Sequence, residues 1–210
     1  MEIAIPLFDG FTALDAVGPY EVVSRLPEAE VKFVAAVPGP KLTDNRMLEI
    51  VASYRLGDVT APDVVMVPGG IGTRALMNDE EMLSWIREAH SSSLWTTSVC
   101  TGSLLLAAAG VLEGLEATTH WLELETLANF GAQPVKRRVV EEGKVITAAG
   151  VSAGIDMALT LATRIAGRDV AQAIQLGIEY DPEPPFDSGS TRSAPKRIVQ
   201  LVRAAAGYSA

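Results

Sequence analysis

Short apolar runs alternate with longer amphipathic segments along most of this chain. Val64–Val67 is apolar at every position, as expected for a parallel strand buried on both faces of a sheet. Similar runs rich in β-branched and aromatic residues predict further strands. They cover residues 2–7, 31–37, 48–54 and 94–99. An extended pair, 135–141 and 144–148, flanks the turn Glu142-Gly143 and predicts a hairpin.

Segments with helical periodicity or helix-forming composition lie between these strands. They cover residues 79–90, 103–109, 122–129, 152–165, 170–178 and 196–206. The segment 152–165 is apolar nearly all round, which predicts burial in the core or at a subunit interface. Residues 179–193 contain Pro182, Pro184 and Pro185 and predict an irregular arm.

The first helix has two possible starts. Thr12 and Asp15 have the spacing of a capping box with Thr12 as the N-cap. Gly18 and Pro19 then interrupt the segment, and Pro19 also suits the first turn of a helix over 20–26. The sequence leaves both alternatives open. In either one, Asp15 lies shortly after the first strand, at or near a helix start.

Strands that alternate with helices, without an internal repeat, predict one doubly wound α/β domain over residues 1–210. In such a sheet the functional site lies beyond the carboxyl ends of the strands. Asp15, Gly69-Gly70 and Cys100 each follow a predicted strand. We therefore expect these residues to meet at that edge of the sheet.

Cys100 lies where the strand 94–99 gives way to the helix 103–109. The N–H groups of the helix's first turn would surround a side chain at such a turn. They would stabilise a thiolate and supply donors to an oxyanion. We interpret Cys100 as a nucleophile. The alternative is a small buried apolar residue.

Three neighbouring features each have a structural and a chemical interpretation. Asp15 is either a helix cap or a carboxyl group with a raised pKa that moves protons beside the thiol. Thr101 is either a first-turn helix residue or a hydroxyl that holds a substrate atom or water. Gly69 and Gly70 form a tight turn and can also aim a backbone N–H at developing negative charge.

The remaining polar residues indicate structural roles. His120 is predicted to be packed and hydrogen-bonded rather than catalytic, and His90 to lie on the surface. Residues 136–138 are predicted to form a solvated strand face, and Asp156 to be a first-turn helix acid. Two separated histidines and one cysteine lack the spacing of a metal site, so we expect no metal. The glycines of 69–72 do not complete a dinucleotide-binding motif.

Composition narrows the range of partners. Of the 210 residues 48 % are hydrophobic, and the net charge of −9 disfavours nucleic acid and anionic membranes as partners. One cysteine fits a reducing compartment. The first residues lack the features of a signal peptide, and the apolar runs are too short to cross a bilayer. We expect a cytoplasmic protein that acts on a small molecule.

Several motifs resemble a known family. Residues 63–70 read Asp-Val-Val-Met-Val-Pro-Gly-Gly, 97–103 read Thr-Ser-Val-Cys-Thr-Gly-Ser, and 117–121 read Ala-Thr-Thr-His-Trp. With 154–159 they resemble the ThiJ/PfpI superfamily over nearly the whole chain. Within it the sequence looks most like the isonitrile hydratase branch. The features that favour this branch are 14–19, Thr101 directly after Cys100, and 179–190.

The resemblance implies a flavodoxin-like, mostly parallel sheet and a homodimer. It also implies that Cys100 attacks an isonitrile carbon, with Asp15 as the general acid and base and Thr101 assisting in positioning. Water would hydrolyse the resulting thioimidate to an N-substituted formamide. The amides of Gly70 and Thr101 would help to stabilise charge. No cofactor is implied.

Other branches imply other functions. Protease-like members carry a histidine directly after the cysteine, where this chain has Thr101, so we discount peptidase activity. Protease and deglycase-like members typically have glutamate in place of Asp15. A reactive carbonyl such as methylglyoxal is still an alternative substrate, and a redox sensor or ligand-binding module that uses Cys100 is an alternative function. Some relatives are the N-terminal domains of transcription regulators, but the acidic balance here offers no DNA-binding footprint. Residues 148–150 contain less glycine than is usual in the isonitrile hydratase branch.

Overall fold

The computed structural model of the protein describes residues 1–208. Two compact units are distinguished, one over Met1–Ile178 and one that begins at Glu179. Each is described by itself below. The expectation of one domain over 1–210 stays a prediction.

The first unit contains eleven strands, seven α-helices and one short 3-10 helix (Leu56–Asp58) within the described residues. The strands are β1 (Glu2–Pro6), β2 (Glu30–Ala35), β3 (Gly39–Leu42), β4 (Glu49–Ala52), β5 (Tyr54–Arg55), β6 (Val64–Val67), β7 (Trp95–Val99), β8 (Glu116–Ala117), β9 (Gln133–Pro134), β10 (Val139–Glu142) and β11 (Val145–Ala148). The helices are α1 (Ala13–Val23), α2 (Thr73–Leu76), α3 (Glu80–Ser92), α4 (Gly102–Ala108), α5 (Leu124–Asn129), α6 (Ala153–Ala166) and α7 (Arg168–Gly177).

Seven of these strands form the central sheet in the order β10-β11-β7-β6-β1-β2-β5. Every neighbouring pair is parallel except β10 and β11, which form the predicted antiparallel hairpin. The central strands β6 and β1 are flanked on both sides by other strands, and β6 is fully buried. Helices pack against this sheet. The predicted α/β class with a mostly parallel sheet is confirmed.

Helix α1 settles the choice left open by the sequence. It begins after Thr12 and continues through Pro19 to Val23. The alternative start at Pro19 is therefore wrong. The capping box is also absent, because the Thr12 hydroxyl donates to Asp44 at 2.7 Å and makes no cap bond to the helix. Pro19 is accommodated where α1 packs against α6.

The remaining differences involve short elements and burial. The predicted strand 48–54 is divided into β4 and β5. Strand β3 and its pairing with β4 were not predicted, since Pro38-Gly39-Pro40 resembles a loop, and neither were the two-residue strands β8 and β9 or the short helix α2. His90 is half-buried rather than on the surface, with Nδ1 2.9 Å from the Thr96 hydroxyl. Helix α6 buries one face and leaves the other partly exposed.

The second unit begins with a stretch that forms no regular helix or strand over residues 179–195, which confirms the predicted irregular arm. It continues as the amphipathic helix α8 (Lys196–Ala205), none of whose residues is buried. Across residues 1–208, no helix has the length and apolar content needed to cross a bilayer. The homodimer and the cytoplasmic location stay predictions.

Candidate active site

Cys100 follows β7 and precedes α4, as predicted, and its backbone is left-handed. Its φ is +56°, a conformation that costs about 1–2 kcal/mol for a residue with a Cβ. The Cys100 N–H donates to the Ala148 carbonyl at 3.0 Å. The Cys100 carbonyl accepts from the hydroxyls of Ser103 and Thr119, each at 3.0 Å. These bonds hold the strained turn, so the thiol is presented by a fixed backbone.

Gly69 places the loop after β6 against the two side chains beside the thiol. A Cβ on Gly69 would lie 2.5 Å from the Thr101 nitrogen, 2.7 Å from Thr101 Oγ1 and 2.9 Å from Asp15 Oδ2. Each separation is shorter than a normal van der Waals contact. Glycine is therefore required here for close approach of the backbone.

Asp15 is fully buried in the first turn of α1. Its Oδ2 accepts the Gly69 N–H at 3.0 Å. Its Oδ1 has no hydrogen-bond partner among the residues that the structure describes. The carboxyl group also interacts with the Cys100 thiol. The structure therefore brings Asp15 and Cys100 together, as the sequence predicted.

The pKa of Asp15 is raised to about 7, chiefly because burial disfavours the carboxylate. The Gly69 N–H and the Cys100 thiol favour the carboxylate and lower the pKa, while the charge of Asp44 raises it. A carboxyl group with this pKa exists in both protonation states near neutral pH. It can both donate and accept a proton there.

Burial also raises the pKa of the Cys100 thiol well above its usual value, and the neighbouring Asp15 raises it further. The amide and hydroxyl of Thr101 favour the thiolate but do not outweigh these two effects. The amide at the helix start favours the thiolate, as expected, but burial and Asp15 outweigh its effect. The resting group is a thiol whose proton must be removed as it reacts.

The two predicted glycines form hydrogen bonds to Asp15 and Thr101. The Gly70 N–H donates to Thr101 Oγ1 at 2.9 Å, and the Gly69 N–H donates to Asp15. Both glycine amides are thus used to position the two polar side chains. Direct binding of an oxyanion by Gly69 or Gly70 stays a prediction.

His120 lies near the thiol without joining the pair. A Cβ on Gly150 would overlap the His120 ring and lie 3.3 Å from Cys100 Sγ. The side chains of His120 and Cys100 therefore both lie against Gly150. His120 Nδ1 is 3.4 Å from the Leu122 N–H, and the ring lies against Trp121 with 5.8 Å between centroids. Burial lowers its pKa. The packed, hydrogen-bonded position matches the prediction.

Other residues predicted to be structural are also placed. Asp156 lies in the first turn of α6 and forms an ion pair with Arg138. Residues 136–138 are exposed, as predicted, but they precede β10 rather than forming part of a strand. Over residues 1–208 there is no group of three or more His, Cys, Asp or Glu side chains placed to hold a metal ion.

Four further polar residues lie near the site and were not predicted from the sequence. Ser103 and Thr119 hold the Cys100 carbonyl, and Arg74 and Glu123 form an ion pair beside the Gly70 carbonyl. Ser103 and Thr119 stand inside the motifs 97–103 and 117–121, so those motifs gave a signal for them. Arg74 lies in the unpredicted helix α2, and nothing in the sequence links it to Glu123.

The model of the DJ-1/PfpI family matches residues 1–164 of the chain. The chain belongs to this family. Isonitrile hydratase from Pseudomonas putida is 44 % identical over 209 residues, which cover 100 % of this chain and 91 % of that protein. The predicted resemblance to the ThiJ/PfpI superfamily is confirmed.

Solved structures of DJ-1/PfpI proteins share the fold. A ThiJ/PfpI family protein from Pseudomonas syringae matches with a TM-score of 0.94 and 37 % identity, over 99 % of this chain and 86 % of that chain. DJ-1beta from Drosophila melanogaster matches with a TM-score of 0.78 and 22 % identity, over 85 % of this chain and 97 % of that chain. At this identity the second match shows the fold alone.

Proposed function

We propose that this protein is an isonitrile hydratase, which adds water to an isonitrile and releases an N-substituted formamide. The observation that carries the proposal is the buried pair of Asp15 and Cys100, in which a thiol faces a carboxyl group with a pKa of about 7. The 44 % identity to isonitrile hydratase over the whole chain supports the same conclusion.

The first half of the reaction joins the thiol to the isonitrile, with Asp15 carrying the proton. The Cys100 S–H proton passes to the Asp15 carboxylate as Sγ forms a bond to the isonitrile carbon. Asp15 then returns that proton to the same carbon. The product is a thioimidate, R–N=CH–S–Cys, which contains every atom of the thiol and the isonitrile.

Water completes the reaction. Asp15, again a carboxylate, takes a proton from water as the oxygen bonds to the thioimidate carbon, and it passes that proton to the nitrogen. The tetrahedral intermediate loses its hydroxyl proton through Asp15, and the C–S bond breaks. The formamide leaves, and the proton returns to the sulfur of Cys100.

The electrostatics of the pair fit this sequence of proton transfers. A thiol with a raised pKa is a poor nucleophile until a base removes its proton. An Asp15 carboxyl group with a pKa of about 7 accepts that proton and releases it again at neutral pH. Oδ1 of Asp15, which has no partner among the described residues, is the oxygen we assign to this transfer.

Thr101 has a positioning role in this proposal. Its Oγ1 is fixed by the Gly70 N–H, and its backbone and hydroxyl groups both favour negative charge on the Cys100 sulfur. The hydroxyl can therefore stabilise the sulfur as it gains charge during C–S cleavage.

A direct assay tests the proposal. Wild type, Cys100→Ala and Asp15→Asn are incubated with para-nitrophenyl or cyclohexyl isonitrile, and formamide formation is followed. Cys100→Ala should give no turnover, and Asp15→Asn should lose about 100-fold or more in rate, the usual range for loss of a general acid and base.

Asp63→Asn is the matched control. Asp63 is a half-buried aspartate that also accepts one backbone N–H, from Glu2 at 2.7 Å, but it precedes β6 at the opposite end of the strand from Gly69. Its variant should keep the wild-type rate. Turnover by Cys100→Ala would rule out the mechanism. No turnover by wild type with a thiol that still alkylates would direct the search to reactive carbonyls, and then to redox sensing.

A further inference from the structure

Four hydrogen-bond donors converge on the Gly70 carbonyl oxygen. The Thr73 hydroxyl lies 2.8 Å away and the Thr73 N–H 3.2 Å away. Arg74 Nη1 lies 3.3 Å away and Thr101 Oγ1 3.2 Å away. A carbonyl oxygen has two lone pairs. The four donors therefore compete for this oxygen, and a donor that is displaced from it can form a hydrogen bond to another acceptor.

The Thr101 hydroxyl is the donor that has another acceptor close by. Its oxygen accepts the Gly70 N–H at 2.9 Å, which leaves a single O–H proton to be placed. In the structure the hydroxyl is placed to donate to the Gly70 carbonyl, and Cys100 Sγ is the alternative acceptor, because a hydrogen bond from the Thr101 side chain favours the charged form of the thiol. Only the second choice stabilises negative charge on the sulfur.

Arg74 is held at the Gly70 carbonyl by a buried carboxylate. Its Nη2 forms an ion pair with Glu123, whose side chain is 7 % exposed. Glu123 also accepts the Thr126 hydroxyl at 2.8 Å. The planar guanidinium thus contacts the carboxylate with one nitrogen and the carbonyl with the other, and its charge strengthens the bond to the carbonyl.

We propose that Arg74 and Glu123 are positioning residues that occupy the Gly70 carbonyl and so free the Thr101 hydroxyl proton to point at Cys100 Sγ. This inference rests on the proposed function only in taking Cys100 as the reacting thiol. The pair acts through Gly70 and Thr101 and not through contact with the substrate. Loss of the pair returns the Thr101 proton to the carbonyl.

The test measures the reactivity of the thiol rather than turnover. The rate of Cys100 alkylation by iodoacetamide is followed against pH. The chain has one cysteine, so no other thiol contributes. Below the thiol pKa the rate rises about tenfold for each pH unit, so a change in pKa appears as a displacement of the line.

The main variant is the double substitution Arg74→Met and Glu123→Gln. It removes the ion pair without leaving a buried charge unpaired and without changing the net charge. The apparent thiol pKa should rise by about 0.5 to 1 unit, a three- to tenfold loss of alkylation rate at a fixed pH, as expected for one hydrogen bond to the sulfur. An unchanged profile would overturn the proposal.

Thr101→Val distinguishes positioning from a general disturbance of the site. In a Thr101→Val background no hydroxyl proton is left to redirect, so removing the pair should give no further displacement. An equal displacement in both backgrounds would show that the pair acts by another route, and would overturn the proposal. Asp15 and His120, the titratable groups described beside Cys100, are not substituted in any variant, and the double variant removes two charges that have opposite effects on the His120 pKa.

Two further variants guard against a folding defect. Thr73→Val removes the other side-chain donor to the Gly70 carbonyl and involves no charge, and it should also raise the apparent thiol pKa. No rise in Thr73→Val would count against the proposal even if the double variant failed to fold. Arg164→Met with Glu141→Gln removes an ion pair of the same chemistry between α6 and β10, with N–O distances from 2.9 Å, and should leave alkylation unchanged.

Isonitrile turnover is then measured on the same proteins. If the proposed function is correct, the double variant should lose turnover in proportion to its loss of thiol reactivity, mainly in kcat rather than KM. A protein that fails to hydrate isonitriles but shows the Thr101-dependent displacement would contradict the proposed function and support the positioning role.

Discussion

The backbone N–H of Gly69 donates to Oδ2 of Asp15 at 3.0 Å. This bond joins the loop after β6 to helix α1, two segments that are 54 residues apart in the chain. Because the same glycine also lies against Thr101, the loop fixes the carboxyl group relative to the turn that carries Cys100. The geometry of the pair is thus set by backbone atoms.

Gly69→Ala should therefore damage the site more than the fold. Its Cβ would lie 2.9 Å from Asp15 Oδ2 and 2.5 Å from the Thr101 nitrogen, so at least one of them must move. We expect a loss of about 1–3 kcal/mol in the free energy of unfolding. A displacement of about 1 Å should also lower isonitrile turnover by about 100-fold. Urea unfolding and formamide formation measure the two effects.

Gly57→Ala is the control for this substitution. A Cβ on Gly57 has no neighbour within 4 Å, and the residue lies outside the site. Both its stability and its turnover should stay close to wild type. Full activity in Gly69→Ala would show that the carboxyl group does not depend on this contact.

The buried Asp15 should also make stability depend on pH. Its pKa is about 7 in the folded protein and 3.8 as a free side chain. Between these values the folded state holds a proton that the unfolded state has lost. The free energy of unfolding should therefore fall as pH rises from about 4 to about 7, by up to roughly 4 kcal/mol, and level off above.

Urea unfolding of wild type and Asp15→Asn across this pH range tests the linkage. The amide does not titrate, so the difference in free energy between the two proteins should carry the Asp15 contribution alone. Asp63→Asn should keep the wild-type dependence. Parallel curves for wild type and Asp15→Asn would mean that the Asp15 pKa is not raised.

The sequence was most informative where one local pattern determines the structure. The apolar run Val64–Val67 predicted the buried strand. The change from strand-forming to helix-forming residues at Cys100 predicted the strand-to-helix turn. Each of these features depends on a few neighbouring residues. The net direction of the Cys100 pKa could not be predicted in this way, because it depends on burial and on Asp15, which reaches Cys100 only through the fold. The role of Arg74 was hidden for the same reason, since Glu123 lies 49 residues away.

Thr119→Val tests how the strained turn at Cys100 is held. The hydroxyl of Thr119 donates to the Cys100 carbonyl at 3.0 Å, and valine has nearly the same shape without the donor. We expect a loss of about 1 kcal/mol in stability. Turnover should fall by about tenfold or more because the Cys100 thiol is less well placed.

Thr163→Val is the matched control, since the Thr163 hydroxyl donates to the Leu159 carbonyl at 2.9 Å within α6. It should lose a similar stability and keep its turnover. Equal turnover in the two variants would indicate that the Thr119 hydroxyl has no special effect on the thiol.

His120→Asn tests whether the histidine beside Cys100 takes part in the chemistry. The ring is half-buried, its pKa is lowered by burial, and its contacts are with the Leu122 N–H and Trp121. Asp15 already supplies a group that can give and accept protons at neutral pH. We therefore expect turnover within about threefold of wild type, whereas loss of a general acid or base costs about 100-fold or more. A loss of that size at constant KM, with an unchanged melting temperature, would assign His120 a direct role and leave Asp15 as only one of two proton carriers.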